Sequence, residues 1–255
     1  DVHGWNFVSN NNNPSDDEGH GTHVAGIVVG VGQSIFQYPA PAAHVQIMPL
    51  KFLDSTGSGS TSDAIKAIYY AVNNGATVMN NSWGGGSFSS GLAQAIAYSY
   101  DKDVLFVAAA GNAASNNDSS PTYPASYQIP NVLSIAASDD SDRLASFSNY
   151  GASTVHVSAP GVAILSTYPG GQYIYLSGTS MATPFVTGLV GLMRYQAPTM
   201  NNYQVRNLLL KAIDVKSSLS GFVITGGRVN MLSGITLANT TAVDRSSRMG
   251  TRSLR

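Results

Sequence analysis

The stretch Gly178-Thr179-Ser180-Met181-Ala182 sets a primary hydroxyl at the mouth of an apolar helix. The N–H groups of a first helical turn have no intrahelical acceptor, and the positive dipole end favours developing negative charge. Ser180 therefore stands where a nucleophile would, though the same position suits a serine that only caps the helix. Gly19-His20-Gly21-Thr22-His23 offers a base, an imidazole at a second helix entrance between two glycines that let another segment approach. Its rivals are a hydrogen-bonded core histidine and a metal pair of His20 with His23, the latter lacking a third soft ligand at an evident spacing. Ala109-Ala110-Gly111-Asn112 ends an apolar run on an amide, which is either an oxyanion donor or a turn residue. Nucleophile, base and oxyanion donor are three parts of an acyl-transfer site; the fourth is a group that orients the base.

Side chains so distant in sequence need a common scaffold. Met181, Ala182, Phe185, Val186, Leu189, Val190, Leu192 and Met193 recur at helical spacing behind Ser180, and Pro184 falls in the first turn, where a missing N–H costs little. Thr22 to Val31 is small and apolar and predicts a tightly packed helix behind His20. Val45 to Leu53 reads as a buried strand, followed by a helix with Ala64, Ile65, Ala67, Ile68, Ala71 and Val72 on one face and Gly75 at its end. Val78-Met79 leads a short strand, Ser90 to Tyr100 a helix, and Val104 to Ala110 a continuous apolar strand of the kind covered on both faces. This alternation predicts an α/β fold with a doubly wound, mostly parallel sheet, helices on both faces and ligands beyond the carboxyl ends of its strands. Val132 to Ala137 adds a strand, Ile164 to Leu176 a hairpin around Pro169-Gly170-Gly171, and Asn202 to Ala212 a helix.

Composition narrows the function classes. With 255 residues and 43% hydrophobic content, one sizeable domain is expected over residues 1–238. Residues 239–255, carrying Arg245, Arg248, Arg252 and Arg255, are expected to form a frayed basic tail. A formal net charge of −1 and 11% charged residues give no electrostatic case for nucleic acid or an acidic membrane. No cysteine is present, which removes disulfides, thiolate metal sites and cysteine nucleophiles. No apolar run reaches the roughly eighteen residues of a membrane span. Glycines 26, 30 and 32 do not have the spacing of a nucleotide-binding fingerprint.

The histidine, asparagine and serine motifs, in that order on an α/β framework, resemble those of the subtilisin-like serine proteases, the subtilases. The resemblance covers nearly the whole chain. It implies that His20 is the general base, Ser180 the nucleophile and Asn112 an oxyanion donor, with the Ser180 N–H as the second donor. It also implies that Ser82-Trp83-Gly84 and Gly57-Ser58-Gly59 are the two edges that pair with an extended peptide, with Ala113 and Thr122 to Pro124 walling a side-chain pocket. The implied activity is that of a monomeric endopeptidase acting on peptides or proteins, secreted or otherwise extracytoplasmic, with no cofactor required for its chemistry.

The resemblance has a gap. Subtilases carry an aspartate in Asp-Thr-Gly or Asp-Ser-Gly at the end of a first strand, and no such motif precedes His20 here. Asp54-Ser55-Thr56-Gly57 is superficially alike but follows the histidine. A chain lacking the first strand and its carboxylate is expected, with weakened activity; the alternative is a catalytically silent domain that binds extended peptides. The polar loop Ser9 to Glu18 resembles the calcium-binding loop before the histidine in some subtilases, which makes Asp16 and Asp17 candidates for a weak structural calcium site; the alternative is a solvated polar loop, since asparagines fill Asn10 to Asn13 where more carboxylates would be wanted.

Overall fold

The computed structural model describes residues 3–36 and 45–250. The elements run β1 (Trp5–Asn6), α1 (His20–Phe36), β2 (Leu50–Lys51), α2 (Thr61–Asn73), β3 (Val78–Asn81), α3 (Ser90–Asp101), β4 (Leu105–Ala109), β5 (Val132–Ser138), β6 (Val157–Pro160), β7 (Ile164–Tyr168), β8 (Gln172–Leu176), α4 (Thr179–Gln196), α5 (Asn202–Leu209), β9 (Ile213–Val215), β10 (Gly227–Val229) and α6 (Met231–Gly250). Six strands form the main sheet in the order β3-β4-β5-β6-β10-β9, parallel except where β9 runs against β10. The fold is the expected α/β arrangement.

Strand β4 shows how the sheet organises the core. Its residues are all buried, and successive side chains point to opposite faces. Leu105 and Val107 join a cluster with Val186, Leu189, Val190 and Met193 of α4, whereas Phe106 and Ala108 join Ile68 of α2 and Leu92 and Ile96 of α3. An uninterrupted apolar strand is therefore the consequence of helices on both sides. α4 is buried on nearly every side, and it packs against α1 so closely that a Cβ on Gly188 would lie 2.7 Å from the Val28 carbonyl oxygen. The helix behind His20 and the helix behind Ser180 are thereby held against each other.

Several expectations are corrected. The strand expected over Val45 to Leu53 is reduced to Leu50–Lys51, paired in parallel with β1, with Leu53 making a single bridge to Gly59. Helix α1 begins at His20, two residues earlier than its apolar run, because Asp16 supplies a cap upstream. The helix expected to reach Ala212 stops at Leu209, and β9 follows. Strands β6, β9 and β10 were not foreseen; each is four residues or fewer. The basic tail expected from residue 239 is the second half of α6, anchored by the burial of Ile235 and Ala238 and by Ala242 against the core; Arg252 and Arg255 lie outside the described residues. Among the described residues β3 pairs with β4 alone, and no strand pairs with its other edge.

Candidate active site

Ser180 is the second residue of α4, and the cap position belongs to Gly178, which makes no side-chain cap bond. The hydroxyl therefore does not serve the helix. It donates to the Ser82 carbonyl at 3.2 Å, and the Ser82 hydroxyl returns a bond to the Ser180 carbonyl at 2.8 Å. This reciprocal pair seats the nucleophile candidate on the segment that follows β3. Both positions had been singled out in the sequence; their mutual contact had not.

Asn112 contacts the residue before Ser180. Its Oδ1 accepts from the Thr179 N–H and from the Thr179 hydroxyl, both at 2.8 Å. Because both partners are donors, the oxygen must face Thr179 and the amide nitrogen must face the other way. That nitrogen lies 3.5 Å from where a Gly178 Cβ would be, so the exposed amide presents its N–H groups at the entrance of α4, beside the Ser180 N–H. Thr179 is buried, and its hydroxyl also accepts from the Gly111 N–H at 3.2 Å. Thr179→Val should lower kcat about tenfold with KM little changed, since it removes one of the two bonds aiming the amide; steady-state kinetics on a peptide ester check this.

His20 opens α1, whose first turn is held by acidic groups. Asp16 accepts from the Gly19 and Glu18 N–H groups through Oδ1 and from the Thr22 N–H and hydroxyl through Oδ2, while Glu18 accepts from the His20 N–H. Burial raises the Asp16 pKa, but these bonds more than offset it and bring it down to about 2. The same end of α1 docks on the β7–β8 hairpin that leads into Ser180. Tyr168 donates to the Glu18 carbonyl, Thr167 to that of Thr22, and Ser166 to that of His23. Gly19 has φ +111°, and a Cβ there would collide with the Tyr168 ring. The hairpin thus ties the base-bearing and nucleophile-bearing elements together.

The two histidines have separate fates. His23 is fully buried and its Nε2 lies 3.1 Å from the carbonyls of Ile164 and Ile174, one on each strand of the hairpin. Two carbonyl partners make that nitrogen the protonated one, so His23 is a structural bolt rather than half of a metal pair. His20 is partly buried, and among the described residues its ring has neither a hydrogen bond to Ser180 nor an ion pair with a carboxylate. Burial depresses its pKa, opposed by the charges of Glu18 and Asp16 and aided by His23.

The two expected substrate edges are built differently. Asp54 accepts from the Thr56 N–H and hydroxyl and from the Ser58 N–H, which folds Gly57-Ser58-Gly59 into an exposed loop with Gly57 at φ +76°. This Asp-Ser-Thr-Gly segment therefore shapes a loop and is not an orienting carboxylate for His20. Trp83 packs edge-on to Phe52, the residue after β2, at 5.1 Å and donates to Asn81. Beyond Gly84, the Gly85 N–H donates to the Tyr123 carbonyl, bringing the expected pocket wall beside this edge. Ala113 is exposed next to Asn112.

The calcium candidates do not fit a cation. Asp16 has both oxygens engaged by α1, and Asp17 forms an ion pair with Lys51 at 2.5 Å. Among the described residues no group of three His, Asp or Glu side chains could hold a metal.

A family model described as the subtilase family matches residues 1–250. The chain belongs to the subtilase family. This subtilase is 42% identical over 229 residues to thermitase of Thermoactinomyces vulgaris, covering 90% of this chain and 79% of thermitase. It is also 42% identical over 236 residues to the thermophilic serine proteinase of Bacillus sp. (strain AK1), covering 92% of this chain but only 56% of that protein's length. A solved structure of a cold adapted subtilisin-like serine proteinase superposes with a TM-score of 0.74 at 34% identity, over 90% of this subtilase and 79% of that chain.

Proposed function

We propose that this subtilase is a serine endopeptidase. The observation that carries the reading is the Ser180 hydroxyl, free of any capping duty, beside an amide whose oxygen is tied to Thr179 and whose nitrogen is left to donate. Ser180 Oγ attacks the peptide carbonyl, His20 takes its proton and returns it to the leaving amine, and the Asn112 Nδ2 and Ser180 N–H groups receive the oxyanion. The acyl-enzyme is then hydrolysed by water with His20 again as base. Hydroxyl, imidazole and N–H donors suffice for these steps. The Gly57–Gly59 and Ser82–Gly84 edges hold the peptide by β-augmentation, which reads its backbone rather than its side chains.

Residues 1–255 alone are proposed to be a weak enzyme, because among the described residues no carboxylate pairs with the His20 ring to fix its tautomer. No helix among the described residues is long and apolar enough to cross a membrane; a monomer in an extracytoplasmic location is proposed, supported by the family resemblance. Reaction with a fluorophosphonate followed by peptide mapping tests the reading. Adduct on Ser180 that vanishes in Ser180→Ala is expected, whereas folded protein that stays unlabelled would favour a silent peptide-binding domain.

The pH profile supplies a second check. His20 acts as a base only when neutral, and burial holds its pKa below the ordinary 6.5. Activity is therefore expected to be full at neutral and alkaline pH and to fall only as pH drops below that value. An acidic limb of kcat/KM at or above 6.5 in residues 1–255 would contradict this.

A further inference from the structure

Asn149, only 1% exposed, lies between β5 and β6 in a stretch that carries no chemical motif. Its amide uses all four of its hydrogen-bonding capacities on one loop. Oδ1 accepts from the Ala113 N–H at 2.8 Å and the Ser115 N–H at 3.1 Å, and Nδ2 donates to Asn117 Oδ1 at 3.0 Å and Thr122 Oγ1 at 3.1 Å. Its backbone N–H donates to the Gly111 carbonyl at 2.8 Å. Gly111 has φ +117°, and a Cβ there would lie 2.5 Å from Asn149 Nδ2, so the approach requires glycine at that position.

Gly111 and Ala113 are the residues on either side of Asn112. The backbone flanking the oxyanion donor is thus held on both sides by a single buried residue, while among the described residues the Asn112 side chain itself is tied through Oδ1 to Thr179. Asn117 extends the clamp by donating to the Ala110 carbonyl at 2.9 Å. An oxyanion donor is effective only if it is already in place when charge develops, and a loop without regular structure cannot provide that by itself.

We infer that Asn149 is a positioning residue for the oxyanion hole, acting through the backbone of Gly111 and Ala113 to aim Asn112 Nδ2. The inference rests on the serine endopeptidase reading above. An amide is suited to the task because two inward N–H groups need an acceptor while a hydroxyl and a carbonyl-type oxygen need donors, all in one plane.

The test compares Asn149→Leu, Asn149→Ala and Asn149→Asp in residues 1–255, with kcat expressed per Ser180 titrated by fluorophosphonate and an activated ester as substrate. Asn149→Leu should lower kcat by about tenfold, more than it changes KM, as expected for a group that acts on transition-state stabilisation. Asn149→Asp keeps the acceptor for Ala113 and Ser115 and should retain more kcat than Asn149→Ala. In an Asn112→Ala background the Leu substitution should cost less than about twofold, because its effect runs through Asn112. A merely structural role would instead lower the titratable fraction and Tm and leave kcat per site unchanged in the parent chain, and a loss of kcat per site as large with Asn112→Ala as without it would show an effect that does not run through Asn112; either pattern overturns the inference. If Asn149→Leu does not fold, equal kcat per site for the Asp and Ala variants overturns it. Failure of the parent chain to label at Ser180 would instead bring down the endopeptidase reading, and this inference with it.

Discussion

Ser180→Ala is expected to lower kcat about 10⁶-fold in a chain whose His20 has a carboxylate partner, but only about 10²-fold in residues 1–255 alone. The two figures differ because the triad acts as a unit. In subtilisin, loss of the serine or of the histidine alone costs about 2 × 10⁶, as much as losing all three members, and loss of the aspartate alone costs about 3 × 10⁴. Where the His20 ring pairs with no carboxylate, little is left for the serine to contribute. His20→Ala should match Ser180→Ala in each background, and the double variant should be no worse than either. Hydrolysis of a chromogenic peptide, with active protein counted by fluorophosphonate, measures all of these. A Ser180→Ala protein as fast as its parent would mean that the reaction occurs elsewhere.

An N-terminal extension that adds a strand beside β3 and brings a carboxylate to the His20 ring should raise kcat by about 10⁴ per titrated site. The structural basis is the edge of β3 that is without a ladder partner among the described residues, together with a His20 ring that pairs with no carboxylate there. A neighbouring negative charge favours the imidazolium, so the acidic limb of kcat/KM should move to higher pH in the extended chain. This shift separates an electrostatic gain from a simple increase in folded protein, which would raise the titratable fraction and leave the limb in place. A rate per site and a limb that both stay unchanged would show that His20 does not need the carboxylate.

Much of the scaffold was legible because burial on one or both faces leaves a periodic trace. The apolar run at β4 and the helical spacing through α4 announced their elements, and both are buried as that pattern requires. The short strands β6, β9 and β10 left no comparable trace, since so few residues hold too little alternation to separate them from loops. Residues 239–250 read as a solvated tail because their composition is polar, yet they continue a helix whose earlier turns are pinned by Ile235 and Ala238. Asp16 illustrates the limit at the site. As a carboxylate in the polar loop before His20 it read as a calcium candidate, whereas its hydrogen bonds make it the cap of the helix that carries that histidine.

By itself the sequence determined the cast of residues: a serine at one helix entrance, a histidine at another, and an asparagine at the end of a buried strand. Local spacing suffices for this, because helix entrances and strand ends are set by neighbours in the chain. Only the tertiary structure decided what each polar atom does. The Ser180 hydroxyl was released from capping by Gly178, the Asn112 amide was turned by Thr179, His23 was locked between two strands, and Asn149 was buried against the loop it holds. The last three of those outcomes depend on hydrogen-bond partners 27 to 151 residues away in the chain, which no local pattern can encode.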